Sequence, residues 1–173
     1  MGHESVVRLL CEAGAETDFA DDLGKTALHH ASAQGHIEIA CLLLQAGVTL
    51  DLMDCQGKTA LMHASECGYA EIAHLLLECG AGKDLLDADG GTALIRASSL
   101  GRQEVVHVLL QAGADADCTD KLGKTALVHA FENRHEEVVQ LLLYGGADFK
   151  DLLGASHSSS STSSCKRNCK WTV

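Results

Sequence analysis

The chain has 173 residues, 46% of them hydrophobic and 3% aromatic, with no proline. That is room for one ordinary domain whose core is built from Leu, Ile, Val and Ala rather than from rings. Net charge is −11; Lys166, Arg167 and Lys170 lie in an acid-free stretch after Gly154, so the rest of the chain holds 10 cations against 24 acids, a balance of −14 that argues against binding along a nucleic-acid backbone.

The opening MGHESVVRLLCEAG has no basic region followed by an apolar stretch, and so no secretory signal. No apolar run approaches the ~20 residues of a membrane span. Cys11, Cys41, Cys55, Cys67, Cys79 and Cys118 form no CxxC pair and no zinc-finger spacing, which reads as free thiols in a reducing compartment. The expectation is a soluble intracellular protein, cytoplasmic or nuclear. Val6, Val7, Leu9 and Leu10 give the first predicted helix an apolar face with no companion helix before it. This predicts an open N-terminal end that can self-associate, and a chain that is a fragment or truncated isoform of a longer array.

Next come two phrases locked to one period. GKTALHHA starts at Gly24, GKTALMHA at Gly57, GGTALIRA at Gly90 and GKTALVHA at Gly123. LLLQAG at Leu42, LLLECG at Leu75, VLLQAG at Val108 and LLLYGG at Leu141 keep the same step. A fixed period of this length signals stacked structural units rather than a globule around one catalytic pocket. In the unit from Asp21 to Asp54, Asp21-Asp22-Leu23-Gly24 is a turn, and Thr26 is placed to cap a short helix that Gly35 ends. A second helix runs from His36 to Gly47 with Ile37, Ile39, Ala40, Leu42 and Leu43 inward. Val48 to Asp51 then leads on as extended chain. Leu42, Leu75 and Leu109 are expected to hold one core column. Helices this short are marginal alone and need neighbours to bury their faces.

The period, the T-A-L-(H)-x-A phrase, Gly35-His36 and the LLL-x-x-G-A-D tail resemble ankyrin repeats over about residues 2–153. The resemblance implies an all-α solenoid of helix-turn-helix units joined by β-hairpin-like turns. It divides the chain into a half repeat (2–20), full repeats at about 21–53, 54–86, 87–119 and 120–153, and a Ser-rich tail (154–173) expected to be disordered. Several residues depart from the family pattern. Ala27, Ala60, Ala93 and Ala126 replace the family Pro, giving up a preset helix start for better helix propensity. The family His stands only at His29, so Met62, Ile95 and Val128 leave three units without the turn-bracing bond it implies. Asp18, Asp51, Asp84 and Asp117 stand where the family often has Asn and are expected to bond turn N–H groups. Arg134 takes the place of the glycine between helices, at a cost of ~1 kcal/mol if the backbone there is left-handed.

No catalytic, cofactor or metal motif is present: no Walker loop, no G-x-S-x-G, no H-E-x-x-H. His30, His63, Arg96 and His129 recur at the period, but units ~10 Å apart cannot share one metal at ~2 Å, so these are expected to be solvated surface side chains. The resemblance implies a concave face of turn tips and first helices that binds a protein partner of unknown identity. The candidate contacts at the tips are Leu23, Lys25, Gln56, Lys58, Asp89, Leu122 and Lys124. On the first helices they are His30, Gln34, His63, Glu66, Arg96, Ser99, Leu100, His129, Glu132 and Asn133. Leu23, Leu100 and Leu122 are candidate apolar anchors. Arg96 is placed in register near Glu66 and Glu132. Cys165 and Cys169 lie beside basic residues without forming a prenylation box.

Overall fold

The computed structural model describes residues 3–147; the tail, Cys165, Cys169 and the segment 148–153 lie outside the described residues. Within it are nine helices: α1 (Glu4–Glu12), α2 (Ala27–Gln34), α3 (Ile37–Gln45), α4 (Ala60–Cys67), α5 (Ala70–Glu78), α6 (Ala93–Ser99), α7 (Gln103–Gln111), α8 (Ala126–Glu132) and α9 (Glu136–Tyr144). They stack in two layers. The first helices α2, α4, α6 and α8 pack in one row, and α1, α3, α5, α7 and α9 in the other. A row of turns, here called fingers, precedes each first helix.

The helix starts follow from sequence. Thr59, Thr92 and Thr125 have extended backbones, and their hydroxyls accept the N–H of Met62, Ile95 and Val128 at 3.2–3.4 Å. This satisfies one orphan donor at each helix start in the units that lack the family histidine. Where the histidine stands, it reaches further. The N–H of Thr26 donates to His29 Nδ1 at 3.1 Å, which leaves Nε2 protonated, and Nε2 donates to the Lys58 carbonyl of the next unit at 3.1 Å.

Ala40, Ala64, Ala73, Ala97 and Ala130 are fully buried, so neighbouring helices approach closely. The buried leucine column is Leu43, Leu76, Leu109 and Leu142. The expected column of Leu42, Leu75 and Leu109 mixes two registers: Leu42 and Leu75 sit one residue earlier and are half-buried, as are Ile37 and Ile39. Truncating any one of the fully buried leucines to Ala costs about 2–5 kcal/mol. The expected extended run after Gly47 is also shorter than read, since Leu50 and Asp51 form a turn. That turn is pinned from the preceding unit: Asp18 accepts the N–H of Thr49 at 3.0 Å, Asp51 that of Gly82 at 2.9 Å and Asp84 that of Asp115 at 2.9 Å. The expected bonds to turn N–H groups thus reach the backbone of the neighbouring unit.

Gly35 (φ 75°), Gly68 (φ 85°) and Gly101 (φ 67°) are left-handed, and so is Arg134 (φ 61°), which meets the condition for its expected strain. Of the four α1 residues expected to lack cover, Val6, Leu9 and Leu10 are exposed, whereas Val7 is half-buried against the core.

Candidate protein-binding face

Each finger is organised by one aspartate. Asp54 Oδ1 accepts the N–H groups of Gln56 and Lys58 at 2.8 and 2.9 Å, and Asp21, Asp87 and Asp120 do the same two and four residues ahead of themselves. The other carboxylate oxygen takes a side chain nine residues on, in the first helix. His30 reaches Asp21 at 2.8 Å, His63 reaches Asp54 at 2.8 Å, His129 reaches Asp120 at 2.7 Å, and Arg96 Nε donates to Asp87 at 2.6 Å. The periodic basic column therefore clasps finger to helix. This corrects its reading as solvated side chains: His63 is 6% exposed, and only His30 of the three histidines is open to solvent.

The clasps set the electrostatics. Burial pushes the Asp54 carboxyl up, but donation from Lys58 N–H, His63 and Gln56 N–H outweighs it and holds the group below 3.8. Asp120 behaves alike, with Lys124 N–H and His129 as donors. Asp21 is lowered chiefly by the N–H of Lys25 and by His30. Burial works against the Arg96 charge, yet hydrogen bonds to Asp89 and Asp87 raise its guanidinium above the ordinary arginine value.

The third unit solves the clasp differently. Gly91 stands where the other units have Lys25, Lys58 and Lys124, and a Cβ there would lie 2.8 Å from Arg96 Nε. Exchanging Lys and His for Gly and Arg keeps one fixed cation at the clasp and makes room for it to lie across the finger. Arg96 also reaches Asp89 at 3.0 Å and, more loosely, Glu66 at 3.8 Å. Glu132, expected beside it, instead holds Lys124 at 2.7 Å, and Glu66 holds Lys58 at 2.7 Å.

The other predicted contacts divide by exposure. Leu23 (62%), Leu100 (47%) and Leu122 (77%) are exposed, as are Gln34, Gln56, Asp89, Glu132 and Asn133. Lys25, Lys58, Glu66, Arg96, Ser99, Lys124 and His129 are half-buried. The Ser99 carbonyl accepts Asn133 Nδ2 at 2.9 Å, tying units three and four together. Sequence reasoning missed Phe131, 62% exposed on α8, and Phe19, 74% exposed before the first finger. Phe131 was findable, because Ser32, Ser65 and Ser98 fill its column in the other units.

Among the described residues no group of three His, Cys, Asp or Glu is placed to hold a metal, and no helix is long and apolar enough to cross a membrane. Cys11, Cys41, Cys55, Cys67 and Cys79 are free thiols. A groove of about 320 Å³ between α5 and α7 is lined by His74, Leu77, Glu78, Val108, Gln111 and Ala112. It lies on the second-helix layer, away from the fingers, and holds an exposed pair, His74 with Glu78 at 3.5 Å.

A search of curated proteins found no match. The family described as ankyrin repeats (3 copies) matches residues 1–87 and 76–152. Ankyrin repeats are generally protein-interaction modules, and domains built from them are typically non-catalytic. With nine helices in two stacked rows and a family match over most of its length, this chain belongs to the ankyrin-repeat family.

Proposed function

We propose that the chain is a non-catalytic interaction module that holds a protein partner on the face made by its fingers and first helices, the concave face of the family. The observation that carries this reading is three large apolar side chains, Leu23, Leu100 and Leu122, left exposed on a face where Lys58, His63, Arg96, Lys124 and His129 are already held by carboxylates. A few buried apolar anchors carry most of the energy of such interfaces. The reading places the protein inside the cell, where free thiols stay reduced.

The test is capture of partners from cell extract by the full chain and by Leu100→Ser and Leu122→Ser. Both variants are expected to lose capture while keeping the helical circular dichroism and melting of the parent; equal capture by both overturns the reading. Arg96→Glu is unsuited to this test. It removes the cation that holds Asp87 and Asp89 and is expected to lower the melting temperature by itself.

A second reading rests on α1. Its exposed Val6, Leu9 and Leu10 form an apolar face through which the chain associates with a second copy or with a longer ankyrin-repeat protein, competing for that protein's partners. Light scattering that shows a monomer at high concentration overturns the self-association.

A further inference from the structure

We infer that the segment recognised by this face is basic and extended, with two apolar residues about seven to nine positions apart; the inference rests on the interaction reading above and specifies its ligand.

The spacing comes from the fingers. Cys55 N–H donates to the Leu23 carbonyl, Ala88 N–H to that of Gln56 and Lys121 N–H to that of Asp89, at 2.9–3.0 Å. These bonds join the tips into one continuous row, and each finger is clasped to its own helix. Leu23 and Leu122 therefore stand a fixed three units apart, which is about 24–30 Å at the usual helix-to-helix distance. Extended chain covers that span in about seven to nine residues at ~3.3 Å each. Because the row is already ordered, docking gives up little conformational freedom in the receptor.

The charge preference comes from which side chains are already engaged. Lys58 and Lys124 are held by Glu66 and Glu132, and Arg96 lies on Asp87 and Asp89. The two middle tips carry Gln56 and Asp89, and the Asp89 side chain keeps 82% of its surface exposed. Asp22 stands exposed beside Leu23. Lys25 and Lys121 form no ion pair among the described residues, but they sit at the two ends of the row. An acidic segment crossing the middle meets carboxylates and no unengaged cation. A basic segment meets Asp89 there, whose carboxylate takes one bond from Arg96 and keeps its remaining surface open, and the −11 net charge steers the segment inward.

The test is a selection of random peptides of about twelve residues, long enough for the span, displayed against the full chain. Enriched peptides are then measured by fluorescence anisotropy on the parent chain and on Leu122→Ser, Leu100→Ser and Asp89→Lys. The expected result is Lys or Arg between two apolar residues at the stated spacing. Affinity should fall about tenfold or more on Leu122→Ser and on Asp89→Lys and weaken as salt rises. Peptides that are lost on Leu122→Ser but carry no basic residues overturn this inference and leave the interaction reading standing. Peptides indifferent to both Leu122→Ser and Leu100→Ser overturn the interaction reading together with it. Basic peptides that bind Asp89→Lys as well as the parent, or no enrichment at all, overturn the inference.

Discussion

The fourth unit and the three before it share a backbone plan but differ at two columns, and the difference shows what stacking demands. Gly35, Gly68 and Gly101 sit under the residue that caps the start of the next unit's second helix. An added Cβ would lie 2.5 Å from the Tyr69 ring, 3.1 Å from Arg102 and 2.6 Å from the His135 ring. Arg134 has the same left-handed backbone with no described unit stacked upon it. Likewise Ser32, Ser65 and Ser98 are fully buried, while Phe131 in their column is 62% exposed. Glycine in this column thus answers two requirements, φ and space. The fourth unit keeps only the first of them, and at that position it tolerates a long side chain.

Exchanging residues between the two settings tests this. The largest effect is expected from Ser65→Phe, which forces the fourth unit's ring into a column with no free volume. It should cost about 3 kcal/mol or more, read as a lower urea midpoint, whereas Phe131→Ser should cost less than about 1 kcal/mol. Equal losses would show that exposure does not distinguish the two sites.

Next in size is Gly35→Ala, where left-handed strain adds to the clash with Tyr69, for about 2–4 kcal/mol in all. The reverse exchange, Arg134→Gly, should stabilise by about 1 kcal/mol. A destabilised Arg134→Gly would mean that the arginine makes a contact worth more than its strain.

Ser65→Ala sharpens the comparison within the buried column. The hydroxyls of Ser32, Ser65 and Ser98 are buried without a hydrogen-bond partner. Removing one should raise stability by up to ~1 kcal/mol, and a loss would show that the hydroxyl is satisfied after all.

The smallest effect concerns His29, the one family histidine among four units. Burial lowers its pKa below 6.5, against the opposing pull of the Lys58 carbonyl. Between the two pKa values the folded chain binds fewer protons than the unfolded one. The contribution is therefore complete above 6.5 and is lost as pH falls toward the folded-state value. His29→Met, copying Met62, should remove that part of the decline, seen by comparing melting at about pH 7.5 and about pH 5.5. An unchanged decline would assign the pH dependence to other groups.

Much of the fold was legible because the repeat is written in local chemistry. Thr before each first helix, Gly or Arg134 after it and the leucine-rich second helix are set by capping and backbone preference within a few residues. The candidate binding face was legible in its exposed leucines and tip residues but not in its clasps. His63 looks like a surface residue until its partner Asp54, nine positions earlier in a turn, folds back over the helix. The leucine column was misread by one residue because Leu42, Leu43 and Leu44 are chemically alike, and only the neighbouring helices choose which of them faces inward.

The sequence by itself determined the period, the helix boundaries and the left-handed positions, since these depend on residues adjacent along the chain. The tertiary structure decided which polar side chains are consumed in clasps and which remain exposed. That choice depends on groups brought together from turns, helices and neighbouring units, where burial and hydrogen bonding act across distances no local pattern records.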